Sequence, residues 1–383
     1  MNQRIGHYIT TRISGESVKA YVPSALPPTP PLSMDMLMPL LEKATHVLAQ
    51  LDGKIDAIPN ASLFLYMHVR KEALLSSQIE GTQSSFSDLM LFENAQKTTV
   101  SLEDVEEVSN YVKAIEYGLN RLQKGFPLSL RLLREVHGVL LAGSRGQNQF
   151  PGEFRRTQNW IGGTRPGNAL FVPPPVDQLA QCLGDLEKFL HNNAFPTLIK
   201  AGLAHLQFET IHPFLDGNGR LGRLLIILML CDQGLLRKPV LYMSLYLKQN
   251  RDRYYSLLQE VRQHGTWETW LEFFLEGIVF SAMQALKTIE DIQSTFKKDE
   301  EKIHSLGRAR LSCLEVFDSL QMLPQASVSS ISQSTGLSIP TAGMVLKNLT
   351  ALNILEEKTG KKRDRIYVYT EYLKLLEEGA EPF

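Results

Sequence analysis

Only three cysteines occur among the 383 residues, Cys182, Cys231 and Cys313, and no two of them form a C-x-x-C pair. That spacing excludes a disulfide framework and a zinc knuckle, and each is expected to be a buried thiol in a reducing cytoplasm. An excess of either charge is missing as well. Forty Lys and Arg against 41 Asp and Glu leave a formal net charge of −1, which argues against wholesale nucleic-acid binding and against an acidic solubilising tail. Long apolar runs are absent: the longest, Leu224–Cys231, falls far short of the ~20 residues that cross a bilayer. Met1 to Thr10 is polar and has no apolar signal core. The expectation is a soluble, cytoplasmic protein with no membrane partner. What is plentiful is ordinary core material, 43% hydrophobic against 21% charged, enough for two or three domains with their own cores.

The most informative stretch is His212-Pro213-Phe214-Leu215-Asp216-Gly217-Asn218-Gly219-Arg220-Leu221-Gly222-Arg223. Asp216 to Gly219, with two glycines and an Asn, favours a turn over helix interior. The apolar run behind it reads as a helix from Arg220 through Leu230, whose first amide groups and positive dipole end face the loop as an anion-binding nest. Arg220 and Arg223, three apart, fall on one face near that end, where cations are disfavoured unless something anionic offsets them. A polyphosphate would do so. Asp216 offers a hard oxygen suited to Mg2+, and His212 can be neutral near pH 7 and so accept a proton. Taken singly, each residue is more often structural; joined at this spacing they are not.

The stretch matches H-P-F-x-D-G-N-G-R-x-x-R at every specified position, so the chain resembles Fic-domain proteins. The resemblance implies transfer of AMP from ATP to a hydroxyl side chain of a target protein. It assigns His212 as general base, Asp216 as the Mg2+ ligand, and the span Gly217, Asn218, Gly219, Arg220, Leu221, Gly222 and Arg223 as the ATP-binding cradle. Relatives that transfer a terminal phosphate carry Lys where this chain has Gly219, so Gly favours AMP transfer. The resemblance also gives Ser76 to Gly81 a meaning, because S/T-x-x-x-E-G/N is the inhibitory motif of the family. Glu80 would then pair with Arg223 and block productive placement of ATP. From composition alone, Glu80 is a solvated carboxylate at a helix end closed by Gly81.

Along the chain, residues 1–34 form an N-terminal arm with a proline-rich passage, Pro23 to Pro31. Residues 35–125 read as helical, with apolar positions at helical spacing over Asp35 to Leu51, Ser62 to Phe92, and Leu102 to Leu122, the last with Ser101 as a candidate N-cap. The catalytic core is set at 126–286, with helices over Ser129 to Leu141, Val176 to Leu190, Thr197 to Phe208, a segment opening at Asn250, and Trp267 to Leu286. Gly143 to Gly152 reads as a glycine-rich loop, His137 as a packed or exposed residue rather than a catalytic one, and His205 as a packing or hydrogen-bonded residue. Within this span, 160–172 has the turn signals of a short hairpin, which the resemblance makes a flap that pairs with the target's extended segment. The resemblance also puts Tyr254 and Tyr255 near the nucleoside.

A polar connector at 287–305 leads to 306–383, where helices over Arg310 to Leu320, Val328 to Gln333 and Pro340 to Leu352 and a hairpin around Gly360–Arg365 resemble a winged helix-turn-helix. Lys347 and the Lys361–Arg365 tip could meet DNA phosphates, but few base-reading side chains follow Pro340, which favours protein docking or a homodimer. The fold class is therefore mainly α, a Fic-type bundle with a small flap hairpin and a C-terminal winged-helix unit. The function is a protein adenylyltransferase acting with ATP and Mg2+ on Ser, Thr or Tyr hydroxyls of target proteins, itself included, restrained by Glu80. Two alternatives stay open: removal of AMP from modified proteins at the same site, and a DNA-binding regulator whose site only senses nucleotide.

Overall fold

The computed structural model describes residues 4–55, 61–93, 101–143, 149–361 and 364–379. The chain opens on an antiparallel hairpin of β1 (His7–Ile13) and β2 (Glu16–Val22). Helices follow as α1 (Met34–Ile55), α2 (Ala61–Ile79), α3 (Phe86–Glu93), α4 (Leu102–Gln123), α5 (Leu130–Leu140), α6 (Val176–Leu190), α7 (Thr197–Ile211), α8 (Asn218–Asp232), α9 (Met243–Gln249), α10 (Arg251–His264) and α11 (Trp267–His304). The C-terminal part continues with α12 (Arg310–Met322), β3 (Gln325–Ser327), α13 (Val328–Thr335), α14 (Ile339–Ala351), β4 (Glu356–Glu357), β5 (Ile366–Val368) and α15 (Thr370–Glu377). Most of the described chain is helix. None of its helices is long and apolar enough to cross a membrane.

The core is built around α7 and α8, which pack on each other and are buried on all sides. Their lack of a polar stripe explains why they sit centrally, since a helix apolar all round must be covered all round. Five charged or titratable residues, Lys200, His205, Glu209, Arg220 and Arg223, are nevertheless enclosed there. Around this pair α5 and α6 lie against one side, α4 and α2 against another, and α11 backs α7. α2 is the unusual member: His68, Arg70, Lys71, Glu72, Ser76, Ser77 and Gln78 are all buried, so polar contacts rather than an apolar seam hold much of it. Glu72 accepts from the Ser244 hydroxyl (2.5 Å) and N–H (3.1 Å) on α9, and Lys248 of α9 donates to Gln78 Oε1 at 2.8 Å.

Several local expectations resolve into detail. Ser129 caps α5 by accepting from Leu132 N at 3.4 Å, whereas Ser101 stands at the N-cap of α4 without a side-chain bond. The helical region from Ser62 to Phe92 is two helices, broken just after Glu80 where Gly81 takes φ 108°. The helix placed at Trp267 to Leu286 runs on unbroken through the polar connector to His304. The N-terminal arm is more structured than its prolines suggest: Tyr21 of β2 donates its N–H to Val172 O at 2.9 Å, Glu16 pairs with Arg165 at 2.7 Å, and Ile13, Val18, Ala20 and Val172 form a small apolar cluster. The hairpin thus braces the 160–172 segment. That segment itself closes by a single bridge, Ile161 with Phe171, because Gly162 and Gly163 turn to positive φ before a ladder can form. The segment Gly143 to Gly152 and the Gly360–Arg365 turn are only partly among the described residues, with Lys362 and Arg363 outside them.

In the C-terminal part, β5 lies between β3 and β4, and α12, α13 and α14 pack on one another. Tyr369 donates to Asp299 Oδ2 at 2.6 Å and, with Phe296, Phe317 and Tyr372, forms an aromatic cluster that joins this part to α11.

Candidate functional site

The site begins where α7 ends. His212 closes that helix in the left-handed conformation, φ 49° and ψ 61°, which a side chain rarely adopts and which costs on the order of 1 kcal/mol. The strain is held by bonds from outside the helix. Arg155 donates Nε to His212 O at 3.0 Å and its N–H to Pro213 O at 2.9 Å. The next turn is stapled by Asn218, whose side chain accepts from Phe214 N and donates to Phe214 O (2.9 and 2.8 Å). Gly217, at φ 75°, then starts α8, so that the free amide groups of its first turn point out of the loop. His212 is half-buried, its Nδ1 has no hydrogen-bond partner, and desolvation, with Arg262 nearby, pushes its pKa down to about 4. It is therefore a neutral base at physiological pH.

Arg223 is the electrostatic centre. Its guanidinium donates Nε to Ser76 Oγ at 2.8 Å, Nη2 to Ser76 O at 2.9 Å, and Nη2 to Glu80 Oε1 at 2.7 Å. Burial alone would raise the Glu80 carboxyl, but Arg223 outweighs it and holds that carboxyl below the usual range, with Arg220 and His212 adding to the effect. The Glu80 carboxylate lies over the first turn of α8: a Cβ on Gly219 would come within 2.2 Å of its Oε1. It takes the place at a helix N-terminus where an external anion would bind.

His212, Gly219, Arg223, Glu80, Tyr254 and Tyr255 line one open cleft of about 920 Å³, together with Trp160, Ile161, Gly162, Leu170 and Phe171 of the bridged segment. That volume suits a drug-sized or nucleotide-sized ligand. The two tyrosines differ. Tyr255 is 41% exposed, whereas Tyr254 is buried and donates to His205 Nε2 at 2.9 Å, because His205 must give its own Nδ1–H to Gly222 O at 2.9 Å.

Other residues of the signature stand elsewhere. Arg220 and Arg223 do not act from one face. Arg220 turns toward α4, where Glu107 pairs with it at 2.7 Å and Asp216 Oδ1 lies 3.5 Å away, because two guanidinium groups on one buried face would repel. Asp216 is half exposed and lies with Arg220 beside Glu103, Glu106 and Glu107. The Asn218 side chain is wholly engaged with Phe214, which leaves its backbone N–H to face a ligand. Leu221 is fully buried in the core, and Gly222 packs on Glu209.

Residues without an obvious sequence signal complete the site. His137 stacks on Phe214 with ring centroids 3.7 Å apart; its Nδ1 accepts from Gly152 N at 2.9 Å, so Nε2–H donates to Asp216 O at 3.0 Å. Arg262 donates to Thr210 Oγ1 (3.1 Å) and Glu209 O (3.3 Å) and lies 3.8 Å over the Phe171 ring. Glu209, Arg262, His137, Glu107 and Arg155 find partners far along the chain, which spacing cannot show.

The buried titratable groups give this region a pH dependence. Burial holds His68 near 3 and His137, His205 and His212 near 4, all below the ordinary 6.5, and lifts Glu72 and Glu209 to about 7 from 4.5. Between pH 6.5 and 4.5 the unfolded chain gains four histidine protons that the fold refuses, while the fold keeps two carboxyl protons that the unfolded chain gives up. The net two protons remove ~3 kcal/mol of stability per pH unit of acidification. Urea midpoints should fall from pH 7.5 to pH 5.5; an equal or higher midpoint at pH 5.5 would mean that the histidines are not held neutral.

Comparison with known proteins bears on the same region. Residues 38–120 match the Fic/DOC family N-terminal model and residues 127–230 the Fic/DOC family model. Protein adenylyltransferase Fic of Drosophila grimshawi is 30% identical over 227 residues, 55% of this chain and 43% of that protein. Its Drosophila virilis counterpart is 32% identical over 162 residues, 42% of this chain and 30% of that protein. The chain thus spans less than half the length of these curated relatives. Among solved structures, a Fic family protein from Desulfovibrio desulfuricans G20 superposes with a TM-score of 0.58 at 18% identity, covering 90% of this chain and 97% of that one. Fic-1 from C. elegans gives a TM-score of 0.50 at 19% identity over 67% of this chain and 75% of that one. These likenesses establish the fold.

Proposed function

From a chain that carries a Fic/DOC N-terminal region and a Fic domain, we propose a protein adenylyltransferase that moves AMP from ATP to Ser, Thr or Tyr hydroxyls of proteins, itself included, and is restrained by Glu80. The observation that carries this reading is the placement of Glu80: its carboxylate bonds Arg223 and covers Gly219 at the N-terminus of α8, in the cleft that His212 lines. Glu80 thereby holds, with its own charge, the position a phosphate needs. ATP can enter productively only when that carboxylate leaves.

The chemistry then falls to few groups. His212, neutral and lining the cleft, takes the proton of the attacking hydroxyl. The α8 amides and Arg223 absorb the charge that builds on the phosphate oxygens. Asp216 fits Mg2+, since its carboxylate is half exposed and the ion is usually held by one or two carboxylates plus substrate phosphates. Bound there, Mg2+ would neutralise phosphate charge. The target's extended segment is assigned to the 160–172 edge, where Leu170 is 79% and Trp160 36% exposed. For the C-terminal part, the order helix, strand, two helices and hairpin supports a winged helix-turn-helix, and exposed Ile339 and Met344 on α14 favour protein docking over DNA.

The test is mass spectrometry of a cell lysate incubated with ATP, Mg2+ and the Glu80→Gly variant. AMP should appear on Ser, Thr or Tyr of lysate proteins or of the variant. A phosphoryl group in its place, or no adduct at all, would overturn the reading; loss of AMP from a pre-modified target would assign the reverse reaction.

A further inference from the structure

Glu209 lies one turn before His212 on α7 and lines the same cleft as His212, Gly219 and Arg223. Its Oε1 is buried with no hydrogen-bond partner. It is packed against α8, where a Cβ on Gly222 would come within 2.2 Å of that oxygen. An orphaned buried carboxyl is costly and needs a reason.

Neutralising a nearby cation is the ordinary reason, and two guanidinium groups are close enough to be felt. Arg223 faces Glu209 from α8 and Arg262 from α10, with Tyr254 and Tyr255 also on α10 and Glu80 in the turn after α2. Yet the hydrogen bonds of Arg223 go to Ser76 and Glu80, and Arg262 donates to the Thr210 hydroxyl and to the Glu209 backbone carbonyl rather than to its carboxyl. The carboxyl is left facing a cleft that the proposed reaction fills with phosphate. An ionised carboxylate there would repel the nucleotide, whereas a protonated one has an O–H to donate. Burial, opposed by Arg223 and reinforced by Glu80, pushes its pKa up to about 7, so the acid form is at hand at physiological pH.

We propose that Glu209 is a nucleotide-binding residue that works as the neutral acid, donating a hydrogen bond to an oxygen of the bound nucleotide, so that nucleotide entry is coupled to uptake of a proton at this carboxyl. This rests on the reading of the cleft as an ATP site. Glu80 cannot supply that proton uptake, because its carboxyl, ordinarily near 4.5, is held lower still by Arg223. His212, held near 4 by burial, stays largely neutral above pH 7.5 and contributes equally to any pair of variants that differ only at 209.

The experiment is calorimetric titration of ATP with Mg2+ into Glu80→Gly and into Glu80→Gly/Glu209→Gln, between pH 7.5 and 9, in buffers of differing ionisation enthalpy. Glu80→Gly should take up as much as one proton per nucleotide and lose affinity as pH rises, approaching tenfold per unit. The Gln variant, whose amide donates without titrating, should take up correspondingly less and bind more tightly than its parent at pH 9. Equal proton counts in the two proteins would overturn the proposal. So would a count of zero in Glu80→Gly alone, a result that does not require the Gln variant to fold. Failure of Glu80→Gly to bind ATP at any pH would instead strike at the reading of the cleft.

Discussion

Glu80→Gly should raise the initial rate of AMP incorporation by ~30-fold over the unaltered protein at equal ATP. The figure follows from what Glu80 does to Arg223. A charge-assisted hydrogen bond is worth ~2 kcal/mol when one partner is buried and the other partly solvated, and Glu80 keeps 36% exposure while Arg223 keeps 1%. At 1.4 kcal/mol per decade, ~2 kcal/mol corresponds to ~30-fold. Removing the carboxylate does not set Arg223 adrift, because Ser76 still holds Nε and Nη2 through its hydroxyl and carbonyl. The guanidinium stays aimed and loses only its counter-charge, and the space over Gly219 opens at the same time. A buried cation without a counter-charge is also a stability defect, so ATP should raise the melting temperature of the variant more than that of the parent. Glu80→Gln, which keeps volume but not charge, should fall between the two rates. An unchanged or lower rate in Glu80→Gly would remove Glu80 as the restraint.

What could be read in advance divides along a physical line. The signature stretch is contiguous, so its chemistry is visible in one window, and the helices around it announce themselves through apolar spacing such as Leu132, Leu133, Val136 and Leu140 on α5. Glu80 is legible only because Ser76 to Gly81 resembles a known motif; its contact with Arg223 spans 143 positions. Contacts of that kind without a motif stayed hidden. The sequence leaves His137 either packed or exposed; it is packed, and its bond to Asp216 O makes it a brace of the loop. Helical arithmetic puts Arg220 beside Arg223, but Glu107 on α4 draws its guanidinium away. The N-terminal hairpin is hidden from pattern because part of its support is the Val172 carbonyl, more than a hundred residues away. Pattern reveals what an element buries; it does not reveal which buried polar group it will meet.

Adding His212→Ala to Glu80→Gly should lower AMP transfer by ~10²–10⁴-fold, the range that a positioned general base supplies. The relieved background matters, since a base cannot be tested where Glu80 already limits the rate. His212 suits the role on two grounds: burial keeps it neutral, and its left-handed backbone is fixed by Arg155 rather than by its own ring. The last point predicts a clean variant. Ala pays a similar backbone cost at φ 49°, and the bonds of Arg155 to His212 O and Pro213 O survive truncation of the ring. The loss should therefore appear in kcat, with ATP affinity by calorimetry little changed. In the Glu80→Gly protein, kcat/KM should hold its value down to about pH 5, since the imidazole titrates near 4 in place of the ordinary 6.5. Two results would displace His212 as the base: AMP transfer by the double variant at a rate comparable to that of Glu80→Gly, or an acid limb centred at 6.5 in the enzyme that retains the ring.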